Sequence, residues 1–191
     1  MNSLPHLQEL FEKLKTGYHV SHEDGLMHAA LMQRTDDYAE YFGAIGLKLV
    51  KHERDFFYFE SEDATSEYLP QVAVFCYVLI DHTANLGLPI EATLMGGTFS
   101  LRGLPHFTLD SYRAHLRQVD LLEPDKLRRV VSYLVRIGWA KWVSTDEFTF
   151  LRPFCRVFER CLELSEHSPD RAKVSAEGLS DSEDKEGGQN A

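Results

Sequence analysis

A mostly α-helical fold carrying two small β-hairpins is what three observations in this sequence predict. Apolar residues recur three and four apart in several stretches separated by glycine, proline or acidic turns. Two aromatic runs, Phe56 to Phe59 and Phe148 to Leu151, each follow a polar turn and another short extended stretch. The order of helices followed by a hairpin then occurs twice. That order is the outline of a winged-helix domain, so tandem winged-helix domains are expected: residues 1–62, then 63–165 with a long leading helix and a C-terminal helix.

Leu4, Leu7, Leu10, Phe11 and Leu14 lie at helical spacing, and Gly17 stands where that helix stops. Tyr18-His19-Val20 reads as a brief extended piece. Ser21 with Asp24 three residues on has the side-chain arrangement that caps a helix start, and Leu26, Met27, Ala30 and Leu31 form the apolar face that follows. Thr35-Asp36-Asp37 opens a third helix with acids in its first turn, where the helix dipole favours them. Tyr38, Tyr41, Phe42 and Ile45 line it and Gly46 ends it. Leu47 to His52, a Glu53-Arg54-Asp55 turn and Phe56 to Phe59 make the first hairpin.

Beyond an acidic connector, a helix from about Glu67 to Asn85 is apolar round most of its surface, which suits a central position or a subunit contact. Leu88 to Pro105 reads as irregular, with Gly96-Gly97 and Gly103 loosening the backbone. Asp110 caps a short helix, and Glu123-Pro124-Asp125 starts another with proline at a favoured first-turn site. Leu127, Val130, Val131, Leu134 and Val135 form its stripe, and Gly138 ends it. Trp139 to Val143, a Ser144–Glu147 turn and Phe148 to Leu151 form the second hairpin, and Pro153 leads a final helix to Leu162.

With 43% hydrophobic and 12% aromatic residues the chain can build a core. Residues 166–191 are nearly devoid of apolar side chains and read as a disordered acidic tail. The N-terminus has no secretory pattern, and the longest apolar run, Val72 to Ile80, is about half of the ~20 residues a membrane span needs. A cytoplasmic protein without membrane attachment is expected, its three cysteines reduced and buried.

The formal charge of −10 argues against a general nucleic-acid coat, but it is unevenly spread. Residues 1–104 hold seven basic and fifteen acidic side chains, residues 105–161 ten and seven, and residues 162–191 three and eight. Within the basic middle, Arg129, Ser132 and Arg136 fall on one side of the helix that precedes the second hairpin, flanked by Lys126 and Arg128, with Lys141 and Arg152 on or beside the hairpin. In a winged-helix unit that helix can enter a major groove while the wing touches phosphates, which makes Lys126, Arg128, Arg129, Arg136 and Lys141 candidate DNA contacts. An ordinary solvated face, or arginines paired with an acidic partner protein, accounts for the same residues. The first unit offers Asp36, Asp37 and Glu40 on its third helix. Acids repel phosphate, so this unit suits protein docking, with Tyr38, Tyr41 and Phe57 as candidate partner-facing aromatics, although core filling is the first reading for any single one of them.

Catalytic chemistry is not written in the chain. His19, His22 and His28 lack metal-ligand spacing, Cys155 and Cys161 have apolar neighbours and no evident base, and Gly96-Gly97 lacks the Gly-Lys-Ser/Thr ending of a phosphate loop. No metal, cofactor or enzyme activity is expected.

Gly17-Tyr18-His19-Val20-Ser21, then Tyr38, Tyr41-Phe42, Ile45-Gly46-Leu47 and Phe56-Phe57-Tyr58-Phe59, resemble the start of MukE-like proteins, most closely their MksE branch. These are the kleisin-interacting tandem winged-helix (KITE) subunits of bacterial condensins. The resemblance is clearest over residues 17–60 and elsewhere rests on the order of elements. It implies a homodimer that binds a kleisin and, through it, an SMC ATPase that carries the ATP hydrolysis. The complex would be nucleoid-associated and would organise and segregate the chromosome, or restrict plasmids as related systems with an added nuclease do. A stand-alone winged-helix transcription regulator is the alternative, although two wings and a net negative chain favour the scaffold.

Overall fold

The computed structural model describes residues 3–60 and 69–159, and the described residues up to Cys155 form one compact unit. The first half runs α1 (Leu7–Leu14), α2 (Leu26–Gln33), α3 (Thr35–Gly43) and a hairpin of β1 (Leu49–Lys51) and β2 (Phe57–Phe59). The second runs α4 (Leu69–Asn85), α5 (Ile90–Gly96), β3 (Thr98–Ser100), α6 (Pro105–Thr108), α7 (Arg113–Gln118), α8 (Pro124–Arg136) and a hairpin of β4 (Ala140–Trp142) and β5 (Glu147–Phe150). The chain is mostly helical with small antiparallel sheets.

Local chemistry places most of the boundaries. Gly17 and Gly138 take positive φ after α1 and α8, as a residue without Cβ can do at low cost. The Ser21 amide donates to the Asp24 carboxylate at 2.9 Å, and the same carboxylate meets Lys13 Nζ at 2.7 Å, tying α1 to the turn before α2. Pro124 occupies the first turn of α8, whose buried stripe is Leu127, Val130, Val131 and Leu134.

The irregular reading of Leu88 to Pro105 is corrected: it contains α5 and β3. Gly97 punctuates rather than loosens. A Cβ there would lie 2.9 Å from the Thr93 carbonyl, and the Gly97 carbonyl accepts a hydrogen bond from Thr149 Oγ1 at 2.9 Å. β3 becomes a strand because β5, about fifty residues later, pairs with it, placing Phe99 opposite Phe148.

That strand reveals a repeat. The second sheet has the order β3-β5-β4, so the early strand pairs with the later hairpin strand. In the first half Val20 does the same, exchanging both backbone hydrogen bonds with Phe57 of β2 at 2.9 and 2.8 Å. Each half therefore threads helix, extended segment, helices and hairpin in the same order.

Each half has its own apolar centre. Leu10, Leu14, Val20, Leu31, Tyr38, Phe42 and Phe57 fill the first. In the second, α4 is central, burying Val72, Phe75, Cys76, Val78 and Leu79 and leaving Ala73, Tyr77 and Ala84 exposed. Phe75 approaches Phe148, and Phe150 stacks on Phe154 with ring centroids 3.8 Å apart. Cys76 and Cys155 are buried as expected, whereas Cys161, the end of the final helix and the acidic tail lie outside the described residues. No single helix among the described residues is long and apolar enough to cross a membrane.

The halves meet at a backbone contact. The His19 amide donates to the Ile137 carbonyl at 2.9 Å, and the His19 ring lies between Tyr58 and Trp139 at centroid distances of 5.1 and 5.6 Å. Gly138 sits directly beneath, where a Cβ would fall 2.6 Å from the His19 carbonyl and 3.1 Å from the Tyr18 ring. Gly138→Ala should therefore cost at least about 2 kcal/mol, combining left-handed backbone strain with a clash against backbone. Gly87 has φ +68° and open space, so Gly87→Ala should lose only the strain, and urea unfolding of both variants compares the two.

His106 is buried, its Nε2 paired with the Phe75 carbonyl at 3.1 Å and its Nδ1 without a partner. Burial pushes its pKa down from 6.5 to about 4. The unfolded chain then binds a proton that the folded chain refuses between these values, so stability falls as pH drops from 6.5 towards 4. The contribution lost across that window is about 3 kcal/mol. Unfolding free energies measured across it should show this slope, and His106→Gln should flatten it.

Candidate nucleic-acid and partner interface

The exposed side of α8 is built by its own periodicity. With Leu127, Val130, Val131 and Leu134 turned inward, Asp125, Arg129, Ser132 and Arg136 are left on the outer side. Arg136 lies over the Tyr133 ring, 4.9 Å from its centroid. Among the described residues neither Arg129 nor Arg136 has an acidic side chain within ion-pair distance.

The other three candidate DNA contacts are engaged inside the chain. Lys126 Nζ lies 2.6 Å from Asp120 and 3.5 Å from Glu123, and the bond to Asp120 is the main reason its pKa is raised. Arg128 reaches the second hairpin, donating to the Thr145 carbonyl at 2.6 Å and to the Asp146 carboxylate, with its guanidinium over the Trp142 ring. Lys141, on β4, donates to Glu23 of the first half at 2.8 Å. That bond is the first cause of the lowered Glu23 pKa, burial working against it. Thus five basic residues read as one patch resolve, among the described residues, into two arginines without an acidic partner and three internally neutralised cations. Sequence spacing could not show this, because Glu23 precedes Lys141 by 118 positions.

Helix α3 holds the place in the first half that α8 holds in the second, immediately before the hairpin. Its outer side presents Asp36, Asp37 and Glu40, with Arg34 bonded to Asp37 at 2.6 Å. The hairpin's three cations are also paired: Lys48 with Glu60, Lys51 with Asp55 and Arg54 with Glu91. The two equivalent faces therefore carry opposite charge.

The candidate partner-facing aromatics separate sharply. Tyr38 and Phe57, named as candidate partner contacts, are both 0% exposed and belong to the core, which removes them as candidates. Tyr38 faces inward from α3 and its hydroxyl donates to the Pro5 carbonyl, while Phe57 is held inward by its pairing with Val20. Tyr41 is 48% exposed and its neighbour Ile45 is 55% exposed. His28 and His19 are occupied by backbone: His28 Nε2 pairs with the Asp55 carbonyl at 2.8 Å, and His19 Nδ1 lies 3.1 and 3.2 Å from the Gly17 and Ile137 carbonyls.

A family model described as "Condensin complex protein MksE" matches residues 5–162. The chain belongs to the MksE condensin family. The match spans both halves, so the resemblance first carried by residues 17–60 extends over the second hairpin. A comparison with curated proteins finds no match. Membership makes this MksE-family chain a condensin-associated subunit.

Phe57→Ala should cost about 3–5 kcal/mol, the range for emptying a buried aromatic site. Tyr41→Ala should stay within about 0.5 kcal/mol. Equilibrium urea unfolding of the two variants distinguishes a core aromatic from one available to a partner.

Proposed function

We propose that this chain is the non-catalytic subunit of a MukBEF/MksBEF-like SMC condensin, working in the cytoplasm on the nucleoid. As a homodimer it binds a kleisin, and through the kleisin it joins the SMC ATPase. The observation that carries the reading is the family match over residues 5–162. The repeated threading of extended segment, helices and hairpin supports two winged-helix modules over residues 1–62 and 63–165.

The modules divide the work by charge. Asp36 and Glu40 on α3 would repel phosphate, so the first module docks protein, with Tyr41 and Ile45 offering apolar area at the same helix. The second module assists DNA contact through Arg129 and Arg136, in the position from which a winged-helix domain addresses a duplex. The complex organises and segregates the chromosome or restricts plasmids.

Affinity capture of the tagged full chain with its co-encoded proteins tests the assignment. A kleisin and an SMC protein should be recovered in stoichiometric amounts. Recovery of neither overturns it.

A further inference from the structure

Lys126 and Arg128 are neutralised by acids of their own half, Asp120, Glu123 and Asp146. Lys141 is different. Its counter-charge, Glu23, comes from the turn that follows Val20 in the other half. One Glu23 oxygen lies 2.8 Å from Lys141 Nζ, and the other lies 3.1 Å from His22 Nε2. An open groove of about 300 Å³ adjoins the pair, lined by His22, Glu23, Lys141, Thr149 and Arg152 among others. A carboxylate with one oxygen on an ammonium and the other on an imidazole makes the contacts that two oxygens of one phosphate would make.

We propose that this groove is a phosphate-contact point for a nucleic-acid duplex, and that Glu23 fills it as an internal stand-in which the duplex must displace. The inference rests on the reading of α8 as a duplex contact. The exchange is accessible because the Lys141 and Glu23 side chains are 47% and 32% exposed, and such pairs are weak and screened by salt. It also hides the contact from the usual salt signature. When a phosphate replaces Glu23, the duplex sheds a counter-ion and the liberated carboxylate takes one up, so little net release results. Arg129 and Arg136, unpaired among the described residues, give the native chain most of its salt dependence.

The test is fluorescence anisotropy of a labelled duplex against the full chain across a series of salt concentrations. Glu23→Gln should raise affinity several-fold and steepen the slope of log K against log salt by about 0.9, the value of one added phosphate contact. Lys141→Gln in that background should restore the native slope. Glu40→Gln removes the same charge from α3, distant in sequence from Lys141, and should leave the slope unchanged. Equal slopes for Glu23→Gln and Glu40→Gln overturn the proposal.

Arg129→Glu with Arg136→Glu tests the underlying reading separately. Unchanged binding by that variant removes the α8 contact. Weakened binding by it, with no effect of Glu23→Gln, removes the groove alone.

Discussion

The close approach of Gly138 to the His19 carbonyl is the constraint on which the rest of this structure depends. It ends α8, seats the Tyr18 ring and lets the His19 amide reach the Ile137 carbonyl at 2.9 Å. Val20, the next residue, exchanges backbone bonds with Phe57 of the first hairpin, while Trp139, the residue after Gly138, leads into the second. One backbone contact thus sets both hairpins relative to each other. A side chain at Gly138 would push apart the segments that start them, which is why the αL glycine does more here than stop a helix.

The same contact explains how Glu23 meets Lys141. Glu23 lies four residues past His19, and Lys141 lies three past Gly138, so fixing the backbone at the junction brings their side chains together. Charge pairing of this kind contributes little to folding, because both groups are wet. Its effect is on the surface potential: it removes from the second half a cation that composition alone would count as available. The chain-wide −10 and the basic middle segment are both true and neither describes the surface.

Much of the architecture was legible in local patterns. The stripes of α8 and α3, the proline that opens α8, the glycines that end helices and the aromatic hairpin strands are all nearest-neighbour physics. The region around β3 was not. Thr98–Ser100 is too short to announce itself, and its strand character comes from β5 about fifty residues away. Tyr38 and Phe57 stay open between core and interface in the sequence for a related reason. Aromatic side chains suit cores and interfaces equally well, and burial is settled only by what packs against them.

By itself the sequence determined the helical content, the two hairpins, the repeated order of elements and the family, because these depend on periodicity, turn residues and motifs along the chain. Tertiary structure decided the third strand of the second sheet, the junction at Gly138, and which charges stay unpaired. These depend on atoms brought within a few ångströms from distant positions, about fifty residues apart for β3 and β5 and 118 for Glu23 and Lys141. Ionic and backbone contacts of that range leave no period or spacing in a sequence, so only the folded chain could separate Arg129 and Arg136 from the cations around them.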